Sequence, residues 1–264
     1  WYIHNNMEEK IVRKVTEIGN GAHIFAPKEW LGEEVVIVRT PKKDPKEEVI
    51  KVLYPYLDKI IAVFLFGSYA RGEQEKNSDM DVFVISNEKF KVNSNNIDLI
   101  IVPENKLEIA KEINPILFYS MLNEAKQIIN PSYLEKLKKE KVNFGYFKWF
   151  IEDTKKSIDS NKEIIEMDKK LKNRGVSESV IYSLILRLRG VFIINLLLNN
   201  KKYSKKIFKE WVIKNSSINY DDAYSIYQSV RDNKKPDKEV LMEQGETLLS
   251  LLIEETENLS KKIK

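Results

Sequence analysis

Residues 60–72 read IIAVFLFGSYARG and residues 78–85 read SDMDVFVI, and this stretch decides the fold of the chain. The apolar run that ends at Gly67 predicts a buried strand, and the run that follows Asp79 predicts a second one. Between them, Gly67 and Ser68 predict a turn, and residues 69–73 predict the start of a short helix. The stretch therefore predicts two apolar strands joined through a glycine-serine turn.

Acidic residues mark the second strand of this stretch and the next apolar run. Side chains alternate along a strand, so Asp79 and Asp81 are expected on the same face. Asp98 is the only charged residue in the apolar run over residues 97–102. Like charges repel and are costly to bury, and a divalent cation removes that cost. Oxygen-only ligation favours Mg²⁺, and three carboxylates suit a site with two metal ions.

The turn itself has the groups that a phosphate requires. Gly67 lets a ligand approach the main chain closely, and Ser68 offers a hydroxyl and a backbone N–H. The amides at the start of the short helix favour an anion, and Arg71 adds a cation. Together with the carboxylates, these groups predict a site for a nucleoside triphosphate and its magnesium ions.

These residues resemble the nucleotidyltransferase superfamily that includes DNA polymerase beta, and especially its minimal nucleotidyltransferase branch. The family signature is a Gly-Ser turn, about ten residues, an Asp-x-Asp pair on a strand and a third Asp on a later strand. Gly67 and Ser68 match the turn, Asp79 and Asp81 match the pair, and Asp98 matches the third Asp. The resemblance covers residues 47 to 103.

The resemblance implies an enzyme that transfers a nucleoside monophosphate, AMP from ATP, to a hydroxyl and releases pyrophosphate. Asp79, Asp81 and Asp98 would then hold two Mg²⁺ ions, with Asp98 as the candidate base for the acceptor hydroxyl. Gly67, Ser68 and Arg71 would hold the triphosphate. The acceptor stays open between a protein, as in antitoxins that AMPylate a toxin, a small molecule such as an aminoglycoside, and a nucleic-acid 3′ end.

Residues 8–40 predict a small separate β unit. A strand over residues 11–17, a Gly-Asn-Gly turn, a strand over 22–25, a helical turn over 27–32 and a strand over 35–38 follow one another. This order resembles the AbrB/MazE-type swapped-hairpin domain, in which two intertwined chains bind DNA. So short a segment hardly buries a core alone, so we expect a homodimer.

The alternative for this unit is a plain hairpin cap, or a dimerisation device without DNA contact. Its mixed charges form no obvious basic face. A second alternative, for the whole chain, is a DNA-binding regulator that senses nucleotide without turning it over.

The remaining sequence predicts helices. Residues 46–57, 107–113 and 116–129 are expected to be helical around the strands, and residues 141–264 predict a helical bundle whose last helix spans 236–262. On the helix predicted from residue 177, Tyr182, Arg187 and Arg189 either face the triphosphate or cap the bundle at its surface. The predicted class is α+β, with a β unit over 8–40, a mixed-sheet nucleotidyltransferase domain over 47–132 and a helical domain over 141–264.

The composition and the apolar runs indicate the expected cellular location of the protein. The chain has 264 residues, 42% hydrophobic content, no cysteine and a formal net charge of +4. The lysine- and glutamate-rich composition hints at a thermophile. The longest apolar run, residues 190–198, is too short to span a bilayer, and residues 1–6 lack the pattern of a signal peptide. We therefore expect a cytoplasmic protein with no membrane partner.

Overall fold

The structure is a computed structural model that describes residues 11, 13, 15–37, 44–75 and 78–263. The chain divides into two compact units, Trp1–Lys43 and Asp44–Lys264. Within the predicted β unit, residues 8–10, 12, 14 and 38–40 lie outside the described residues.

In the first unit, β1 (Thr16–Ile18) pairs antiparallel with β2 (Gly21–His23) around the predicted Gly-Asn-Gly turn. A 3₁₀ turn follows at Lys28–Trp30, where the sequence predicts a helical turn. The strand predicted over residues 35–38 is wrong for residues 35–37, which form no strand, and residue 38 lies outside the described residues. A strand needs a hydrogen-bonding neighbour, and β1 and β2 pair only with each other in the described part of this unit.

The second unit contains the predicted mixed sheet, formed by β3 (Ile60–Phe66), β4 (Met80–Ser86), β5 (Ile97–Pro103) and β6 (Lys126–Ile129). The strands lie in the order β5-β4-β3-β6. The pairs β3–β4 and β3–β6 are antiparallel, and β4–β5 is parallel.

Helices before, between and after the strands complete this unit. Those up to the end of the sheet region are α1 (Pro45–Leu53), α2 (Gly67–Arg71), α3 (Leu107–Ile113), α4 (Pro115–Glu124) and α5 (Pro131–Lys139). Those of the C-terminal region are α6 (Lys148–Lys170), α7 (Glu178–Leu198), α8 (Lys205–Ser216), α9 (Tyr220–Arg231) and α10 (Met242–Lys262). Short 3₁₀ segments lie at Tyr54–Lys59, Glu104–Lys106 and Phe144–Phe147. The predicted α+β class is confirmed.

Two predicted helices have boundaries in the structure that differ from the predicted ones. The helix expected over residues 116–129 stops at Glu124, and residues 126–129 form β6 beside β3. The apolar residues Ile128 and Ile129 pack against the sheet core, and this tertiary pairing overrides the local helical pattern. The last helix begins at Met242, six residues later than the pattern over 236–262 predicts.

The sheet separates two buried clusters. Val63 and Leu65 of β3 face a cluster that includes Val49 and Leu53 of α1. Phe64 and the other side chains on the opposite face join a larger cluster that continues into the C-terminal helices. This second face matters for function because odd-numbered positions of β4, which include Asp81, point to it.

Among the helices that the structure describes, one has the length and composition of a membrane span. In α7, 67% of the most apolar window is buried within the fold, so α7 serves here as a core helix. It packs against α6, α9 and α10.

Candidate active site

The turn and two of the aspartates lie in one row across the sheet. Phe66, the last residue of β3, pairs with Asp81 of β4, and Asp81 pairs with Asp98 of β5. Neighbouring strands lie about 4.8 Å apart, so the main chains that carry the two aspartates are adjacent. Asp79 lies just before β4 and is exposed, as is Asp98.

Gly67 is required at the turn for two separate reasons. Its φ of +69° falls in the left-handed region that side chains disfavour. A Cβ at this position would lie 1.9 Å from Oδ2 of Asp81 and 2.7 Å from its Cγ. The Asp81 carboxylate therefore rests against the glycine, and the turn and the carboxylate position each other.

The electrostatics of Asp81 show an excess of negative charge at this edge of the sheet. Burial, followed by repulsion from Asp98, raises the pKa of Asp81 to about 6. Arg71 acts in the opposite direction, and Glu124 and Asp79 add smaller repulsions. The nearby cations of the protein therefore do not fully offset the negative charge around the Asp81 carboxylate.

This charge excess bears on the predicted magnesium. Among the described residues, no group of three acidic, histidine or cysteine side chains is close enough to form a complete metal site alone. The donors nevertheless suit Mg²⁺, which takes few carboxylate ligands and completes its shell with water and substrate phosphate oxygens. The under-compensated Asp81 beside Asp98 fits such a partial protein site.

Glu124 is a site residue that the sequence reasoning missed. One of its carboxylate oxygens accepts a hydrogen bond from the Gly67 N–H at 2.8 Å, and the other pairs with Arg71 at 2.7 Å. Its side chain is only 8% exposed. Nothing in the sequence marked it, because the helix predicted over residues 116–129 places Glu124 in its interior, whereas α4 ends at Glu124.

Arg71 is held on several sides. Besides Glu124, it pairs with Glu73 at 2.7 Å and lies over the ring of Tyr203, 5.4 Å from the centroid. Glu73 in turn accepts a hydrogen bond from the Lys205 backbone N–H at 3.1 Å, at the start of α8. The turn is thus connected through Arg71 and Glu73 to the C-terminal helices.

The C-terminal helices supply cations to the same space. A cleft of about 770 Å³ is lined by the turn and the aspartates together with residues of the helical region. The helical-region residues that line it are Arg189, Ile193, Tyr203, Lys205, Tyr224, Gln228, Arg231, Asp232 and Lys234.

Arg189 combines an aromatic contact with a buried polar atom. It lies over the Tyr203 ring at 5.2 Å, on the same ring that Arg71 contacts, and its Nε is buried without a hydrogen-bond partner among the described residues. Of the other residues weighed for the triphosphate, Arg187 pairs with Asp153, and Tyr182 stacks on Tyr227.

The structure places the predicted residues Gly67, Ser68, Arg71, Asp79, Asp81 and Asp98 all on the wall of this one cleft.

Residues 46–173 match the family model of the nucleotidyltransferase domain. This match includes the turn, the aspartates and Glu124, whereas the cations from Arg189 onward lie beyond it. Residues 1–38 match the model "Putative transposon-encoded protein (DUF2080)". The search of curated proteins gave no match.

Two examples represent the solved structures that are similar to the chain. One is the spectinomycin adenyltransferase AAD(9) from Enterococcus faecialis with ATP and spectinomycin, at 16% identity and a TM-score of 0.43, covering 80% of this chain and 97% of that one. The other is a nucleotidyltransferase-like protein from Exiguobacterium sibiricum 255-15, at 12% identity and a TM-score of 0.37, covering 81% and 74%.

Proposed function

We propose that this chain is a Mg²⁺-dependent nucleotidyltransferase that transfers AMP from ATP to a hydroxyl group on a protein. The observation that carries the proposal is the single cleft in which the Gly67–Ser68 turn meets Asp79, Asp81 and Asp98. The nucleotidyltransferase domain match over residues 46–173 supports the reaction type.

Each residue has a role in this reaction. Asp79, Asp81 and Asp98 would hold the magnesium ions, whose bound charge would stabilise the triphosphate and the attacking oxygen. The acceptor oxygen bonds to the α-phosphorus as the bond to the bridging oxygen breaks, and pyrophosphate leaves. Asp98, which is exposed at the cleft wall, would take the proton of the acceptor hydroxyl.

The distribution of charge in the cleft supports a triphosphate as the donor. Because the Gly67 N–H and Arg71 are already engaged by Glu124, Ser68 is the better candidate phosphate contact of the turn. Arg189, Lys205 and Lys234 line the same cleft. A polyanion between the aspartates and these cations would be bridged by metal on one side and by basic groups on the other.

Metal-dependent pyrophosphate release from ATP, measured together with transfer of α-phosphate label to the proteins of an added lysate, tests this proposal. We expect release with Mg²⁺ and none with a chelator, and we expect Asp81→Asn to abolish it. Asp159→Asn, an exposed aspartate on α6, is the matched control and should behave as wild type. Equal turnover by Asp81→Asn and wild type would contradict the metal-site assignment, and nucleotide binding measured by titration would show whether donor recognition stands apart from turnover.

We also propose that the first unit mediates homodimerisation. It exposes large apolar side chains, with Leu31 88% and Val36 91% exposed, which a unit of this size needs a partner to bury. Light scattering on the full chain should give a dimer, and Leu31→Asp with Val36→Asp should shift it towards monomer. A monomeric wild type at micromolar concentration would refute this proposal.

A further inference from the structure

A second cavity opens on the same face of the sheet as the aspartates. It has a volume of about 420 Å³ and lies between β4, β5, α3 and α4. Its floor includes Ile100 and Val102 of β5, and its far wall includes Ala110 of α3. This cavity, called here the apolar pocket, has the size of a ligand or anchor-residue pocket.

The apolar pocket continues directly from the candidate active site. Asp98, Ile100 and Val102 occupy alternate positions of β5 and therefore share one face. Phe66 and Leu117 line both the cleft and the pocket. Along β5, the pocket floor begins about 7 Å from Asp98 and extends to about 13 Å. A molecule with its hydroxyl at Asp98 can therefore reach the pocket with a group at that distance.

The chemistry of the walls selects an apolar occupant. Lys106 and Asn114 are the polar residues among those that line the pocket, and Asn114 Oδ1 already accepts a hydrogen bond from Leu117 N–H at 3.3 Å. A purine edge or a polycationic sugar would lose its hydrogen bonds to water there without replacement. An aliphatic or aromatic group would lose no hydrogen bonds there and would be stabilised by burial of its apolar surface.

The rim of the pocket indicates a protein partner. Ile113 is 74% exposed and Ile109 is 47% exposed at the mouth. A small molecule inside the cavity would leave these side chains in water, whereas a polypeptide that inserts one anchor side chain would also cover the rim. The pocket and its rim together have the form of an anchor site.

We propose that the apolar pocket binds an apolar side chain of the acceptor protein, and that this anchor lies two to four residues from the modified hydroxyl residue. The spacing follows from the distance of about 7 to 13 Å and a rise of about 3.3 Å per extended residue. The inference rests on the proposed function, because it takes Asp98 as the place of the hydroxyl.

Peptide binding and peptide labelling test the inference separately. A fluorescent peptide series carries one tyrosine and one leucine at separations of one to six residues, in an otherwise Gly-Ser sequence. Anisotropy without ATP or Mg²⁺ measures binding, and transfer of α-phosphate label from ATP measures the reaction. We expect both to be strongest at separations of two to four.

Variants then locate the binding. Ile113→Lys at the rim and Ala110→Phe in the pocket should each weaken peptide binding at least about tenfold, which corresponds to 1.4 kcal/mol. Leu171→Lys is the matched control, because Leu171 is 70% exposed and lines neither the cleft nor the pocket. Thermal melts should show that Ala110→Phe is folded.

The outcomes separate the two proposals. If Asp81→Asn binds the peptides and fails to label them, the pocket and the proposed reaction both stand. Peptide binding that is insensitive to separation, or unchanged in Ile113→Lys and Ala110→Phe, would overturn the pocket assignment even if pyrophosphate release persists. Peptide binding with full labelling by Asp81→Asn would leave the pocket intact and remove the proposed chemistry.

Discussion

The contact between Gly67 and Asp81 gives a prediction whose size can be worked out from the structure. In Gly67→Ala, the left-handed backbone costs an L-residue about 1–2 kcal/mol. The new methyl group would lie 1.9 Å from the Asp81 Oδ2, and moving such a group out of a packed site costs about 1–3 kcal/mol. We expect Gly67→Ala to lower the free energy of unfolding by about 2–5 kcal/mol.

Gly72→Ala is the matched control for this substitution. Gly72 also has a left-handed φ, +75°, but a Cβ there meets no atom within 4 Å. Gly72→Ala should therefore lower the free energy of unfolding by the backbone cost alone, about 1–2 kcal/mol. The difference between the two variants isolates the contact with Asp81.

Thermal unfolding followed by circular dichroism in a chelating buffer measures this difference. For a domain of this size, 1 kcal/mol shifts the melting temperature by about 2–4 °C, so Gly67→Ala should melt roughly 2–12 °C below Gly72→Ala. Adding Asp81→Ala to Gly67→Ala removes the Cγ and both oxygens and should recover most of the steric part. Equal melting temperatures for the two alanine variants would refute the argument.

Three other predictions concern carboxylates. Asp81→Asn should abolish pyrophosphate release. It should also raise the melting temperature in chelator by a few degrees, because it removes a poorly compensated negative charge that costs roughly 1 kcal/mol at this partly exposed position. A lower melting temperature would contradict this. Glu124→Ala should destabilise the fold by about 2–4 kcal/mol and Glu124→Gln by less, since glutamine still accepts a hydrogen bond from the Gly67 N–H. The reverse order in urea titrations would contradict the role of Glu124 in joining Gly67 to Arg71. Burial alone would raise the pKa of Asp168, but hydrogen bonds from Ser177 and Asn173 lower it on balance. The stability that the Asp168 carboxylate contributes is therefore present above pH 3.8 and is lost as the pH falls through its folded-state pKa. Asp168→Ala should destabilise the fold by about 2–4 kcal/mol at pH 7, and melts at several pH values should show this loss shrinking below pH 3.8.

The sequence predicted the core strands well because their signals are local. β3 runs from Ile60 to Phe66 as predicted, and α7 begins at Glu178 and ends at Leu198, as the pattern from residue 177 indicates. β3 is an unbroken apolar run that ends at Gly67, and α7 is mostly apolar after the start signal at Ser177 and Glu178. The strand β6 was missed because its identity depends on its pairing with β3, which lies more than sixty residues earlier.

The candidate site shows the same division between local and distant signals. The spacing of Asp79 and Asp81 and the lone charge of Asp98 were visible in short segments. Glu124 contacts Gly67 across 57 residues of chain, and no local pattern predicts that contact. The metal and nucleotide roles of the predicted residues stay predictions, and the structure adds the geometry with which to test them.

The arrangement of charge explains why the helical region belongs to the site. Arg71, the one cation near the turn that the sequence suggested, is paired with Glu124 and Glu73 and so has little charge left for a phosphate. A triphosphate at this turn then needs cations from elsewhere, and Arg189 of α7 and Lys234, which follows α9, line the same cleft. The Lys205 backbone also donates to Glu73, so the pairing that engages Arg71 also holds the start of α8 at the cleft. Donor binding should therefore depend on contacts between the sheet and the helices as much as on the aspartates themselves.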